Sequence, residues 1–189
     1  AMKNMTYVIA GAIIACIIGL IYMETKKGIL RRTVERFISI NPKLKGKETI
    51  DEIRDLVKEG EDERLEFKST LRINLHTNEI DRRVEHSVLK TIVAFLNSNG
   101  GTLLLGVSDK GEIAGIERDQ FPNADKFNLH LTNLIKQRIG KKYLRLLNIE
   151  AIEGEEITIV RVICKKSDKQ VFLQTGQDEE FFTRAGPST

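Results

Sequence analysis

Ala94-Phe95-Leu96-Asn97-Ser98-Asn99-Gly100-Gly101-Thr102-Leu103-Leu104-Leu105-Gly106-Val107-Ser108-Asp109 decides the fold of this chain. On its amino side Val84, Val88, Ile92, Phe95 and Leu96 recur at helical spacing and predict a helix over residues 81–97 with that face to the core. Residues 97–101 then predict a turn. Residues 102–108 are nearly continuously apolar, as in a central strand buried on both faces. Asp109-Lys110-Gly111 predicts a tight turn into a second strand over residues 112–116.

Working outward, residues 64–69 alternate as a strand, and residues 71–78 read as a loop of mixed polarity. Thr49 is a good N-cap for a helix over residues 50–59, and Gly60 is placed to close it. Residues 124–139 predict a second main helix, with Phe127, Leu131, Leu134, Ile135 and Ile139 on one face and Gly140 at its end. Residues 146–153 and 157–165 read as strands paired around Gly154, followed by short strands over residues 171–174 and 180–184. After the opening helix the order is β-α-β-β-α-β-β-β-β, an α+β domain over residues 49–189.

The amino-terminal part is of another kind. Residues 4–23, NMTYVIAGAIIACIIGLIYM, contain no charged side chain. Twenty helical residues reach about 30 Å, the thickness of the apolar core of a bilayer. The run is apolar all round and ends in Leu-Ile-Tyr-Met-Glu, unlike an amphipathic core helix or a cleavable signal. We expect a single transmembrane anchor within residues 1–24. Lys26, Lys27, Arg31, Arg32 and Arg36 on its carboxyl side place the domain in the cytoplasm of a cell with the anchor in its inner membrane. Residues 25–48 read as a basic juxtamembrane segment and linker, with Leu30, Val34, Phe37 and Ile38 on one side of an amphipathic stretch and Asn41-Pro42 ending it. Gly11, Ala15 and Gly19 form a small-residue stripe that would suit a homodimer.

Composition narrows the chemistry. A hydrophobic fraction of 41% and a charged fraction of 30% exclude dominant disorder and a polytopic membrane protein. Cys16 and Cys164 are too few for a disulfide framework or a zinc site. A net charge of +3 is too small to argue for nucleic acid alone. No Lys-containing phosphate loop and no nucleophile elbow occur. His76, His86 and His130 lack metal-ligand spacing and are assigned no role.

Acidic and basic residues remain. Glu61 stands at the entrance of the strand carrying Glu66-Phe67-Lys68, and Asp109 ends the central strand. If those strands are neighbours, the three carboxylates could meet at one rim. Hard oxygen ligands suit Mg²⁺ or Mn²⁺, which can activate water at a phosphodiester, and Lys68 could stabilise the developing charge. Taken singly, the same acids read as solvated loop and turn residues. Lys136, Arg138, Lys141, Lys142 and Arg145 cluster beyond the second main helix, and Arg82 and Arg83 open the first. They form either a phosphate track or a solvated helix end.

In order along the chain, Glu61, Glu66-Phe67-Lys68, Ala94-Phe95-Leu96-Asn97, Gly100-Gly101, Gly106-Val107, Asp109, Gly115 and the ending Phe181-Phe182-Thr183-Arg184-Ala185-Gly186-Pro187-Ser188-Thr189 resemble the Schlafen AlbA-like domain family. The resemblance covers residues 50–189. It implies a nucleic-acid-handling domain, in animal Schlafens a cleaver of structured RNA, including transfer RNA, that uses three carboxylates and a divalent metal. Those carboxylates match Glu61, Glu66 and Asp109. The animal proteins carry two tandem copies as a clamp, so a clamp built from this single copy would need a homodimer. The expectations are therefore a metal-dependent RNA endonuclease, a non-catalytic DNA- or RNA-binding regulator, or a membrane-tethered assembly module.

Overall fold

The chain divides into two units, Ala1–Lys47 and Glu48–Thr189. A computed structural model describes residues 49–186, within the second. The anchor, the juxtamembrane segment and the small-residue stripe lie outside the described residues. Among the described residues no helix is long and apolar enough to cross a membrane.

Helix α1, Ile50–Lys58, begins at Thr49 in a reciprocal capping box. Thr49 Oγ1 accepts from the Glu52 N–H at 3.4 Å, and Glu52 Oε2 accepts from the Thr49 N–H at 2.9 Å. Its apolar stripe, Ile53 and Val57, is buried on one face of a four-stranded sheet. The strands in chain order are β1 (Leu65–Lys68), β4 (Gly101–Leu105), β5 (Leu147–Glu153) and β6 (Thr158–Cys164), arranged β1-β4-β6-β5. Strands β1 and β4 run parallel because helix α2, Arg82–Asn97, carries the chain back between them. The other pairings are antiparallel.

Leu103, Leu104 and Leu105 are fully buried, as the continuous apolar run predicts for a central strand. Leu104 packs with Leu65, Phe67 and α1. Leu103 and Leu105 face α2 and helix α3, Ala124–Ile135. The register pairs Glu66 with Leu103 and Lys68 with Leu105. Both charged side chains therefore project toward the α2 side, away from Phe67.

Four expectations need correction. Residues 71–78 are not merely a loop, because Ile73–Asn74 (β2) and Glu79–Ile80 (β3) form a short hairpin. The buried Asp119 carboxylate fixes its base by accepting the N–H groups of Leu71, Arg72 and Ile73 at 2.8, 2.8 and 3.2 Å. Residues 112–116 form no strand. Only a Val107–Ile113 bridge is present, and the Ala114 and Gly115 N–H groups both donate to the Gly106 carbonyl. Gly106 and Gly115 have φ of +94° and +76°, and a Cβ on Gly106 would stand 2.7 Å from the Gly115 carbonyl carbon. That curl requires glycine on both sides.

The second main helix ends earlier than residue 139. A π-helical turn, Lys136–Gly140, and a 3-10 stretch, Lys141–Leu146, lead into β5 and keep Ile139 and Tyr143 buried. The last hairpin is β7 (Phe172–Thr175) with β8 (Asp178–Phe181). It stops short of residue 184 because the following residues are bound by the end of α2.

Candidate nucleic-acid interface and the carboxylate motif

The three carboxylates do not gather. Glu61 Oε1 accepts the Phe67 N–H at 2.7 Å, on the outer edge of β1. Glu61 lines a cleft of about 710 Å³ together with Asp109, Phe67, Arg54 and Lys110. Glu66, one residue before Phe67 on the strand, points to the other face. Lys68 Nζ donates to its Oε1 at 2.6 Å, and Arg184 Nη1 donates to its Oε2 at 2.6 Å. The side chains of Arg184 and Glu66 are 2% and 10% exposed, so this pair is buried. Asp109 is exposed at the sheet end and also borders a second hollow with Lys68. Among the described residues no three His, Cys, Asp or Glu side chains form a metal-holding group. The Mg²⁺ or Mn²⁺ triad expected of Glu61, Glu66 and Asp109 does not fit this arrangement. Glu61 is held at the edge of β1 by the Phe67 N–H, and both oxygens of Glu66 already face cations.

The motif residues that resemblance singled out instead build a fastening. Asn97 Nδ2 donates to the carbonyls of Val171 and Phe182 at 2.8 and 2.9 Å, while its Oδ1 accepts from the Val171 N–H at 2.8 Å. Arg184 also donates to the Asp62 carbonyl at 2.6 Å, stacks 5.0 Å from the Phe95 ring centroid, and its N–H reaches Ser98 Oγ at 2.9 Å. Gly101 passes so near the Phe95 ring that a Cβ there would lie 2.4 Å from it. Sequence reading gave Arg184 no partner. The signal was its place in the terminal Phe-Phe-Thr-Arg stretch, 118 positions from Glu66.

At the other end of α2 two separate basic groups meet. Arg82, Arg83 and Arg138 line one groove of about 900 Å³ between the start of α2, the π-helical turn and the β7–β8 hairpin. The π-helical turn leaves Arg138 able to donate from Nε to the Gln174 carbonyl at 3.0 Å and from Nη2 to His86 Nδ1 at 2.9 Å. Asp81 caps α2 by accepting from the Arg83 N–H at 2.9 Å, and hydrogen bonds from the Arg83 side chain hold its carboxyl well below the usual range. Lys136, Lys141, Lys142 and Arg145 are exposed but do not line the groove. His86 and His130, assigned no role from sequence, do line it. His86 lies one helical turn from Arg82 and Arg83, whereas nothing near His130 in the sequence signalled its place.

Two solved structures are among those to which this chain is similar. The solution structure of the N-terminal domain of a RecG-related protein from Nitrosomonas europaea is 19% identical, with a TM-score of 0.48 over 72% of this chain and 88% of that one. The crystal structure of the DIP2311 protein from Corynebacterium diphtheriae is 16% identical, with a TM-score of 0.43 over 63% of this chain. This chain spans only 22% of that protein's length. The family described as Schlafen, AlbA_2 matches residues 61–189, which include the Glu66 strand, the Asn97 fastening and both rims of the arginine groove. The chain belongs to the Schlafen AlbA_2 family.

Proposed function

We propose that this domain binds nucleic acid through backbone phosphates in the groove edged by Arg82, Arg83 and Arg138, and that residues 4–23 tether it to the cytoplasmic face of the inner membrane. The observation that carries the binding reading is that Arg138 lines one concave surface with the adjacent pair Arg82 and Arg83, distant from it in sequence. Guanidinium groups suit phosphate because their planar fork donates two parallel hydrogen bonds and keeps its charge at any physiological pH. The uncharged run of residues 4–23 supports the tether.

Metal-dependent cleavage of structured RNA is the finer form of this reading. It requires Glu66 to exchange Lys68 and Arg184 for a metal, so the pairing of both its oxygens supports the binding module over the nuclease. The test uses the full chain in detergent with labelled RNA and duplex DNA. For three phosphate contacts, affinity should fall about 20- to 40-fold between 50 and 200 mM salt. Salt-insensitive affinity would remove the phosphate reading. Cleavage that needs Mn²⁺, stops with chelator and is lost in Glu66→Gln would restore the nuclease.

A further inference from the structure

We infer that the arginine groove takes a single unpaired nucleotide of a strand, with its phosphate at the arginine rim and its base on the floor. This deepens the nucleic-acid reading above and rests on it. The rim alone would serve any phosphodiester. The rest of the lining is different in kind, because it offers imidazole, aliphatic and amide groups, with the Glu85 and Glu180 carboxylates turned to the two histidines.

His130 Nε2 lies 2.7 Å from Glu85 Oε1. A carboxylate only accepts, so Nε2 carries the proton and Nδ1 is the ring's other nitrogen. His86 receives a hydrogen bond at Nδ1 from Arg138, which leaves its proton on Nε2, facing Glu180 Oε2 at 3.4 Å. Each imidazole also meets a phenyl ring, Phe121 tilted at 5.2 Å from His130 and Phe182 edge-on at 6.3 Å from His86. The groove thus presents two flat heteroaromatic rings whose tilt is set before any ligand arrives.

Leu134 adds an aliphatic surface, and Gln137 adds an exposed amide with both donor and acceptor. Ile80, 62% exposed, stands at the same rim. A continuous duplex offers such a floor nothing, because its bases are stacked and paired. An unpaired base offers a flat face for the rings and a free edge for the amide. A volume of about 900 Å³ is ample for one nucleotide.

The experiment compares a short single-stranded RNA with a blunt duplex of equal length, each labelled, against the full chain in detergent by fluorescence anisotropy. The single strand should bind about tenfold or more tighter, the scale of stacking one base. His130→Ala should bring the ratio close to unity, and so should Glu85→Gln/His130→Ala, which leaves no unpaired carboxylate. Circular dichroism checks that each variant is folded. Arg82→Gln/Arg83→Gln should weaken both forms alike and leave the ratio intact. Equal or tighter duplex binding, or a ratio that both His130 variants leave unchanged, overturns the inference while the phosphate reading stands. A nucleoside monophosphate that binds when strands do not would assign the groove to a free nucleotide and also overturn it. Loss of every form of binding removes the phosphate reading and the inference together.

Discussion

The two ends of helix α2 treat polar groups in opposite ways. At the carboxyl end, Asn97 and Ser98 together with the Phe95 ring take hold of the residues flanking the last hairpin and of Arg184, and Arg184 in turn neutralises Glu66 beneath the sheet. Nearly every donor there has a protein acceptor. At the amino end, Arg82 and Arg83 are exposed, and the groups behind them are fixed but face a groove. The first end uses charge to hold the fold shut. The second leaves its arginines at the surface of a groove, with Arg83 bound to the Asp81 cap and Arg138 to Gln174 and His86. A carboxylate placed by sequence at a presumed reaction centre can therefore belong to the first kind, and a histidine without metal spacing to the second.

The sharpest way to break this contrast is Arg184→Ala. Removing one partner of a buried pair leaves Glu66 charged beneath the sheet, with only Lys68 beside it, and should cost about 3–5 kcal/mol in urea unfolding. Nucleic-acid affinity per folded molecule should stay as it was. A loss below about 1 kcal/mol would mean that the carboxyl end is not the fastening described.

Asn97→Ala should cost less, about 1–3 kcal/mol, because three hydrogen bonds to the terminal hairpin vanish but no charge is stranded. Limited proteolysis should then cut near residues 171–182 sooner than in the wild type. If cutting begins elsewhere, the hairpin has another anchor.

Asp119 sharpens the comparison from between the two ends, since it fastens the base of the β2–β3 hairpin. Burial pushes its carboxyl above the ordinary Asp value, against the three N–H groups that pull it down. The folded state then binds its proton more tightly than the unfolded chain. The group's contribution to stability is full below the usual Asp value and declines as pH rises through the higher folded value. Asp119→Asn should flatten that decline in a series of melts across acid pH, at a cost of about 1 kcal/mol at the acid end. An unchanged slope would show that the decline comes from other groups.

The smallest stability effect belongs to the groove. Arg82→Gln/Arg83→Gln should stay within about 0.5 kcal/mol of the wild type, as for exposed residues generally. Its effect appears in binding, where the salt slope on duplex DNA should fall by about 1.8 for two lost phosphate contacts. A melt that collapses while the salt slope holds would reverse the roles of the two ends.

Short-range order was legible in the residues. Thr49 with Glu52 announces α1, the Val84–Leu96 spacing announces α2, and Leu103-Leu104-Leu105 announces a strand buried on both faces. These features depend on neighbours within a few positions, where caps and periodicity act. The β2–β3 hairpin was not legible, because it hangs on Asp119, 46 to 48 positions away. Residues 112–116 looked like a strand because a turn preceded them, yet the Gly106–Gly115 contact curls them away.

The chain by itself therefore determined the α+β class, the order of its main elements, the uncharged run of residues 4–23, and the presence of two basic groups and one acidic motif. Tertiary structure alone decided what those groups do. It joined Arg82 and Arg83 to Arg138 across 55 positions, and it paired Glu66 with Arg184 across 118. The physical reason is that a charge takes its role from its burial and from the opposite charge it meets. Local patterning sets which face of a strand or helix a side chain takes, but not which distant partner stands there.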